Sequence, residues 1–245
     1  MMNNSVNVFV LKQTDYREHD VIVQALSKEY GVISLMVKGM KKQTSKLAYA
    51  FQLFSYTNIN IDYVSNDKIH TVKHASVIDS HRMLREDLDC LAITSVVAEL
   101  TLKFAQSHDL FVEFTRFVSE LENRSQKLTI MNLYLAKLLS LEGNTPMVDG
   151  CVMCNHQKDI VSISLEEGGF VCQYCNQTMH LPVYNVELLQ AYRVIHKASF
   201  DVYDKLENYE VNQFSLTRLL LDALKIHSGI STKSSRFLYE YYSQR

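Results

Sequence analysis

Glycine and proline are scarce, seven and two in 245 residues. Collagenous, low-complexity and loop-dominated chains need far more of both, so a composition 47% hydrophobic and 21% charged describes a compact, helix-rich protein of one large or two ordinary domains. No apolar run approaches the roughly 18 residues that a membrane-spanning helix needs, so no membrane partner is expected. The opening residues, Met1-Met2-Asn3-Asn4-Ser5, lack the basic stretch and apolar core of a signal peptide. Catalytic signatures are missing too: there is no Walker loop, no GxGxxG after a strand, no GxSxG elbow and no HExxH. Neither His-x-Glu nor Pro-Cys-x-x-Cys of the zinc deaminases occurs. The sequence therefore predicts a protein that binds, not an enzyme.

Five cysteines are present, an odd number. Four have metal spacing, which fits a reducing cytoplasm better than a secreted disulfide framework. Cys151-Val152-Met153-Cys154 and Cys172-Gln173-Tyr174-Cys175 are C-x2-C pairs with seventeen residues between them. Each such pair forms a tight knuckle aiming two sulfurs at one point, and two facing knuckles complete a tetrahedron around zinc. Cys151, Cys154, Cys172 and Cys175 are thus the expected ligands of one structural Zn ion with no open position for water. His156 and His180, close by, are the alternative ligands. Asn155 and Asn176 follow the knuckles, where the chain is expected to turn through the left-handed region. The fifth thiol, Cys90, reads as a small buried hydrophobe.

Charge is unevenly spread. Residues 146–182 carry one Lys/Arg against four Asp/Glu, so the zinc segment should repel phosphates. Gly31 to Ile61 contains four lysines, Lys38, Lys41, Lys42 and Lys46, and no acid. That stretch is either a polyanion site or a solvated loop.

Periodicity gives the architecture. Period-two alternation predicts strands over Val6–Lys12, His19–Ser27, Val32–Lys38, Phe51–Asp62 and Lys68–Ile78. Five short strands suggest an OB-fold barrel over residues 1–80. On the fourth strand Phe51, Leu53, Ile59 and Ile61 face inward, while Phe54 and Tyr56 face outward among amides. Those two aromatics either stack bases or dock against the rest of the protein. After His81 the period becomes 3.6, predicting helices from about 86 to 106, 111 to 122, 128 to 142, 185 onward, 213 to 227 and 231 to 242. Gly143 and Pro146 stop the third of these. The class is α+β: an N-terminal OB-fold, then a helical domain over 81–245 into which a four-cysteine, zinc-ribbon-like segment, 147–182, is inserted.

Several motifs in order resemble one family across nearly the whole chain: Asp20-Val21-Ile22-Val23 with Glu29-Tyr30-Gly31; Val37-Lys38-Gly39-Met40-Lys41-Lys42; Leu138 to Pro146 leading into Cys151; Gly168-Gly169; and Ser235-Arg236-Phe237-Leu238. The resemblance is to the bacterial recombination mediators of the RecO family. It implies the same three-part architecture and a cytoplasmic protein, nucleoid-associated during repair. It further implies binding of single- and double-stranded DNA, annealing of complementary strands, and work with RecR and RecF to load RecA onto DNA coated by single-stranded-DNA-binding protein. Lys38, Lys41, Lys42 and, more weakly, Lys46 match the family's DNA-contacting positions. Here they are all lysines where relatives commonly have arginine, and asparagine replaces glycine after each knuckle. The competing function is a zinc-stapled module that binds protein or RNA and has no part in DNA repair.

Overall fold

The structure, a computed structural model, describes residues 4–104, 108–202 and 213–243. The chain divides into two compact units, residues 1–122 with 232–245, and residues 123–231.

In the first unit the strands are β1 (Asn4–Asp15), β2 (Val21–Ser27), β3 (Gly31–Val37), β4 (Tyr56–Ile61), β5 (Ile69–Thr71) and β6 (His74–Asp79). Alternation governs them as expected: Val6, Val8 and Val10 enter one cluster with Val21, Val23, Ile33, Leu35, Ile59 and Ile61, all within 2% of full burial. Each such side chain contributes roughly 1.5–3 kcal/mol by leaving water. Sheet order is β5-β3-β2-β1-β4-β6. The two end strands, β5 and β6, are consecutive in the chain and separated only by Val72 and Lys73. Val72 donates to the Met36 carbonyl of β3 and Lys73 to the Asn60 carbonyl of β4, at 3.0 Å each. One bent fifth strand therefore joins both edges, and the sheet curls into an OB-like half-barrel.

The predicted fourth strand starts too early. Residues 47–50 form a helical turn, α1 (Leu47–Ala50), whose last carbonyl accepts from Ser55 Oγ at 3.1 Å and Thr57 Oγ1 at 2.6 Å. These side chains offer the backbone an alternative to pairing. Phe54 then sits at φ +66°, which no strand permits, and pairing begins at Tyr56. Phe51 still fills the barrel and Leu53 is half-buried.

Helices α2 (Met83–Glu86), α3 (Leu88–Thr101), α4 (His108–Asn123) and the terminal α9 (Ser234–Ser243) complete this unit. Buried on several sides, α3 holds Cys90 in its interior as expected. Its Glu99 carboxylate accepts from the Lys233 and Ser234 backbone N–H groups and from Ser234 Oγ, at 2.9–3.0 Å, and so caps α9. Burial opposes the ionised form of Glu99, but those N–H donors hold its pKa below the usual value.

In the second unit α5 (Lys127–Leu141) packs on α8 (Gln213–Ser228), with Thr217 Oγ1 donating to the buried Asn132 at 2.7 Å. Past α5, Gly143 at φ +76° turns the chain and Asn144 N–H closes the helix on Leu139. The cysteine segment follows as β7 (Met147–Cys151), β8 (Ile160–Ser164), β9 (Gly169–Cys172) and α6 (Gln173–Met179), in sheet order β7-β9-β8. Strands β8 and β9 pair antiparallel as a hairpin between the two knuckles. Helix α7 (Val186–Lys197), whose Leu188 N–H donates to the capping Asn185 side chain, pairs Arg193 and Lys197 with Asp149 of β7 at 2.7 and 2.6 Å. Among the described residues no helix is long and apolar enough to cross a membrane.

Candidate nucleic-acid interface and metal centre

The four lysines of the acid-free stretch follow β3. Gly39 takes φ +66°, and its N–H donates to Asp20 Oδ1 at 2.8 Å. Met40, 8% exposed, plugs into the barrel core, which leaves its neighbours pointing outward. Lys38, Lys41, Lys42 and Lys46 are all exposed. The Lys41 N–H donates to the His19 carbonyl at 3.1 Å, so this turn is stitched to the turn joining β1 and β2. Between the two turns lies an open cleft of about 400 Å³, with Arg17 to Asp20 on one wall and Lys38, Gly39 and Lys42 on the other.

The stretch that is acid-free in sequence is not acid-free in space. Lys41 is ion-paired with Asp15, and Glu18 and Asp20 face Lys38 and Lys42 across the cleft. Among the described residues Lys38, Lys42 and Lys46 have no carboxylate within 4.0 Å. Arg17 and His19 were missed as site residues. The strand predicted to start at His19 pairs only from Val21, so Arg17, Glu18, His19 and Asp20 are left to form the cleft wall.

The two outward aromatics are differently placed. Phe54 is 2% exposed, inside the protein. Tyr56 stacks on Phe9 at 4.6 Å, and Phe9 is in turn covered by Phe111 and Phe114 of α4 at 5.7 and 5.2 Å. Burial also raises the Tyr56 phenol pKa. Helix α4 thus occupies the face that a base-stacking platform would need, and Phe54 is withdrawn as a stacking residue.

At the cysteine segment, Cys151 ends β7, and Asn155 N–H turns back to its carbonyl at 2.8 Å with Asn155 at φ +61°. The second knuckle differs from expectation. Cys172 is the N-cap of α6, so Cys175 lies on a helix, and the left-handed residue is His180, φ +52°, not Asn176. Asn176 instead holds Leu181 by its side chain, accepting at 3.0 Å and donating at 3.1 Å. All four sulfurs lie within 4.8 Å of one another, and Cys154 and Cys172 sulfurs are 3.7 Å apart. A disulfide needs about 2.05 Å. Four sulfurs about 2.3 Å from one tetrahedral ion are about 3.8 Å apart, so this group could hold a metal ion. Neither His156 nor His180 belongs to it. Burial opposes ionisation of Cys151, but N–H groups of Cys172, Cys154 and Met153 bring its pKa down to about 6. The facing Cys154 thiol, with burial, pushes Cys175 up to about 12. Thiols so crowded ionise together only around a cation.

Comparison with known proteins covers nearly the whole chain. Residues 1–81 match the family "Recombination protein O N terminal" and residues 85–236 match "Recombination protein O C terminal". Among curated relatives, the DNA repair protein RecO of Listeria monocytogenes serotype 4a is 27% identical over 242 residues, covering 94% of this chain and 92% of its own. The protein of that name from Bacillus pumilus is 27% identical over 242 residues, covering 96% and 93%, and that from Bacillus cytotoxicus is 31% identical over 175 residues, covering 70% of each. With both halves matched in order on an OB-like half-barrel, a helical part and a four-cysteine cluster, the chain belongs to the RecO family.

Proposed function

We propose that this protein is a non-enzymatic recombination mediator in DNA repair. In this reading it binds single- and double-stranded DNA through residues 1–80, anneals complementary strands, and acts in the cytoplasm with RecR and RecF to load RecA onto DNA coated by single-stranded-DNA-binding protein. Family membership supports the repair role. The observation that carries the DNA contact is the stitched turn after β3, which presents Lys38 and Lys42, with no carboxylate within 4.0 Å among the described residues, at the mouth of a cleft on the half-barrel.

Annealing requires no bond chemistry. Cations that neutralise phosphates on two strands lower their repulsion and raise their local concentration, and base pairing supplies the direction. The cysteine segment is net acidic and takes no part in that contact. Its sulfurs suit one Zn ion, held by Cys151, Cys154, Cys172 and Cys175, which closes the ion's coordination and staples β7 to β9 and α6.

The test is a titration of the protein with fluorescent single-stranded DNA, bare and coated by its binding protein, followed by annealing of the complement. Binding with annealing on both supports the mediator role. A wild-type protein that binds neither DNA refutes it and favours the RNA- or protein-binding module.

A further inference from the structure

The lysines of the turn after β3 are point charges, and a lysine-only loop lacks the planar fork that grips a phosphate through two N–H groups at once. The opposite wall of the cleft carries such a fork. Arg17 sits in the tight β1–β2 turn, where Tyr16 and Arg17 N–H both approach the Asp20 carbonyl, at 3.1 and 3.4 Å. Its guanidinium carbon lies 5.1 Å from the centroid of the Tyr16 ring. A cation–π contact consumes no oxygen acceptor, so the guanidinium N–H groups remain available to a phosphate. Among the described residues Arg17 has no carboxylate within 4.0 Å. It is exposed and shares the cleft with Lys38 and Lys42.

We infer that Arg17 is a DNA-contacting residue: it supplies the bidentate grip on one phosphodiester of a single strand, with Lys38 and Lys42 on the other side of the same phosphate path. This rests on the proposed DNA-binding role of the turn. The two walls act as one site because three ties hold them together, Gly39 N–H to Asp20 Oδ1, Lys41 N–H to the His19 carbonyl, and the Lys41–Asp15 ion pair. Asp20 is accordingly a positioning residue, whose carboxylate fixes the lysine turn against the Arg17 turn.

The experiment measures affinity for fluorescent oligo-dT at several salt concentrations, using the full chain and the variants Arg17→Ala, Arg17→Lys, Asp20→Asn and Lys38→Ala. Arg17→Ala should weaken binding about fivefold and flatten the salt slope by about 0.7, the value for one single-strand phosphate contact. Arg17→Lys keeps the charge and loses the fork, so the slope should stay and affinity should drop about two- to threefold. Asp20→Asn keeps an acceptor for Gly39 N–H and removes an acid from the cleft, so binding should tighten. If Lys38→Ala flattens the slope while Arg17→Ala leaves affinity and slope as in wild type, the inference is overturned and the DNA-binding reading stands. Arg17→Lys indistinguishable from wild type would overturn the bidentate grip. Wild type that does not bind oligo-dT would overturn both. Unchanged thermal unfolding of the Arg17 variants, expected for an exposed turn residue, assigns the losses to the contact itself.

Discussion

Of the three lysines nearest the cleft, Lys41 should contribute least to DNA binding, because its ammonium is already committed to Asp15. Side chains of that pair are 39% and 74% exposed, so it is worth about 0.2–1 kcal/mol. Moving Lys41 to a phosphate gives up that amount and leaves Asp15 facing the DNA, which costs up to about fivefold in affinity relative to a free lysine. Lys38 and Lys42 have no such debt. Each single-strand phosphate contact carries a salt slope of about 0.7, or about a threefold change in affinity for a fourfold change in salt. Lys38→Ala and Lys42→Ala together should therefore flatten the slope by about 1.4, whereas Lys41→Ala should flatten it by less than about 0.5. Asp15→Asn releases Lys41, so it should tighten binding and make a subsequent Lys41→Ala as costly as Lys38→Ala. Fluorescence anisotropy with oligo-dT across a salt series, run as a double-mutant cycle over Asp15 and Lys41, reads both quantities. Equal slopes for Lys41→Ala and Lys38→Ala in the wild-type background, or an additive cycle, would refute the ranking.

Other expectations concern the second unit. Cys172→Ser removes a buried thiolate of the four, so the variant should hold less than one zinc per chain and unfold at lower temperature; a wild type free of metal and equally stable would count against a zinc staple. Gly169→Ala places a Cβ 2.7 Å from the Met147 carbonyl oxygen, where β7 and β9 run parallel, and should cost about 1–3 kcal/mol in urea unfolding; a neutral result would mean the strands are not so close. Among the described residues His196 Nε2 is buried with no partner, its ring lies edge-on to Tyr192 at 4.5 Å, and burial brings its pKa down to about 4. The unfolded chain therefore takes up the proton first, and stability that is full above about pH 6.5 is lost as pH falls towards 4, by about 2 kcal/mol at pH 5. His196→Gln should remove that increment of acid sensitivity, and an unchanged difference between neutral and acid midpoints would show that His196 does not carry it.

Most of the barrel was legible because strands with one face inside a core must alternate, and Val6, Val8, Val10, Val21 and Val23 do. The four-cysteine cluster was legible because knuckle geometry fixes the spacing of Cys151, Cys154, Cys172 and Cys175. The start of β4 was not, since Ser55 and Thr57 cap α1 through their side chains and apolar periodicity does not register such bonds. Nor was the covering of Tyr56 through Phe9, which depends on aromatics more than fifty residues away in α4, or the burial of Phe54, which follows from its φ of +66° ahead of the strand.

The charge of the candidate site shows why a segment count misleads. Four lysines and no acid between Gly31 and Ile61 promise a strong local potential. Folding brings β1 and its turn alongside, Asp15 neutralises Lys41, and the cleft itself holds three cations, Arg17, Lys38 and Lys42, against two acids, Glu18 and Asp20. A site so nearly balanced does not attract DNA by bulk field. Its affinity has to come from a few well-placed contacts, so its salt slope should be shallow, near two or three single-strand phosphates, and sensitive to each residue that makes them. A shallow slope would also suit the proposed annealing role, in which the paired strand has to be released.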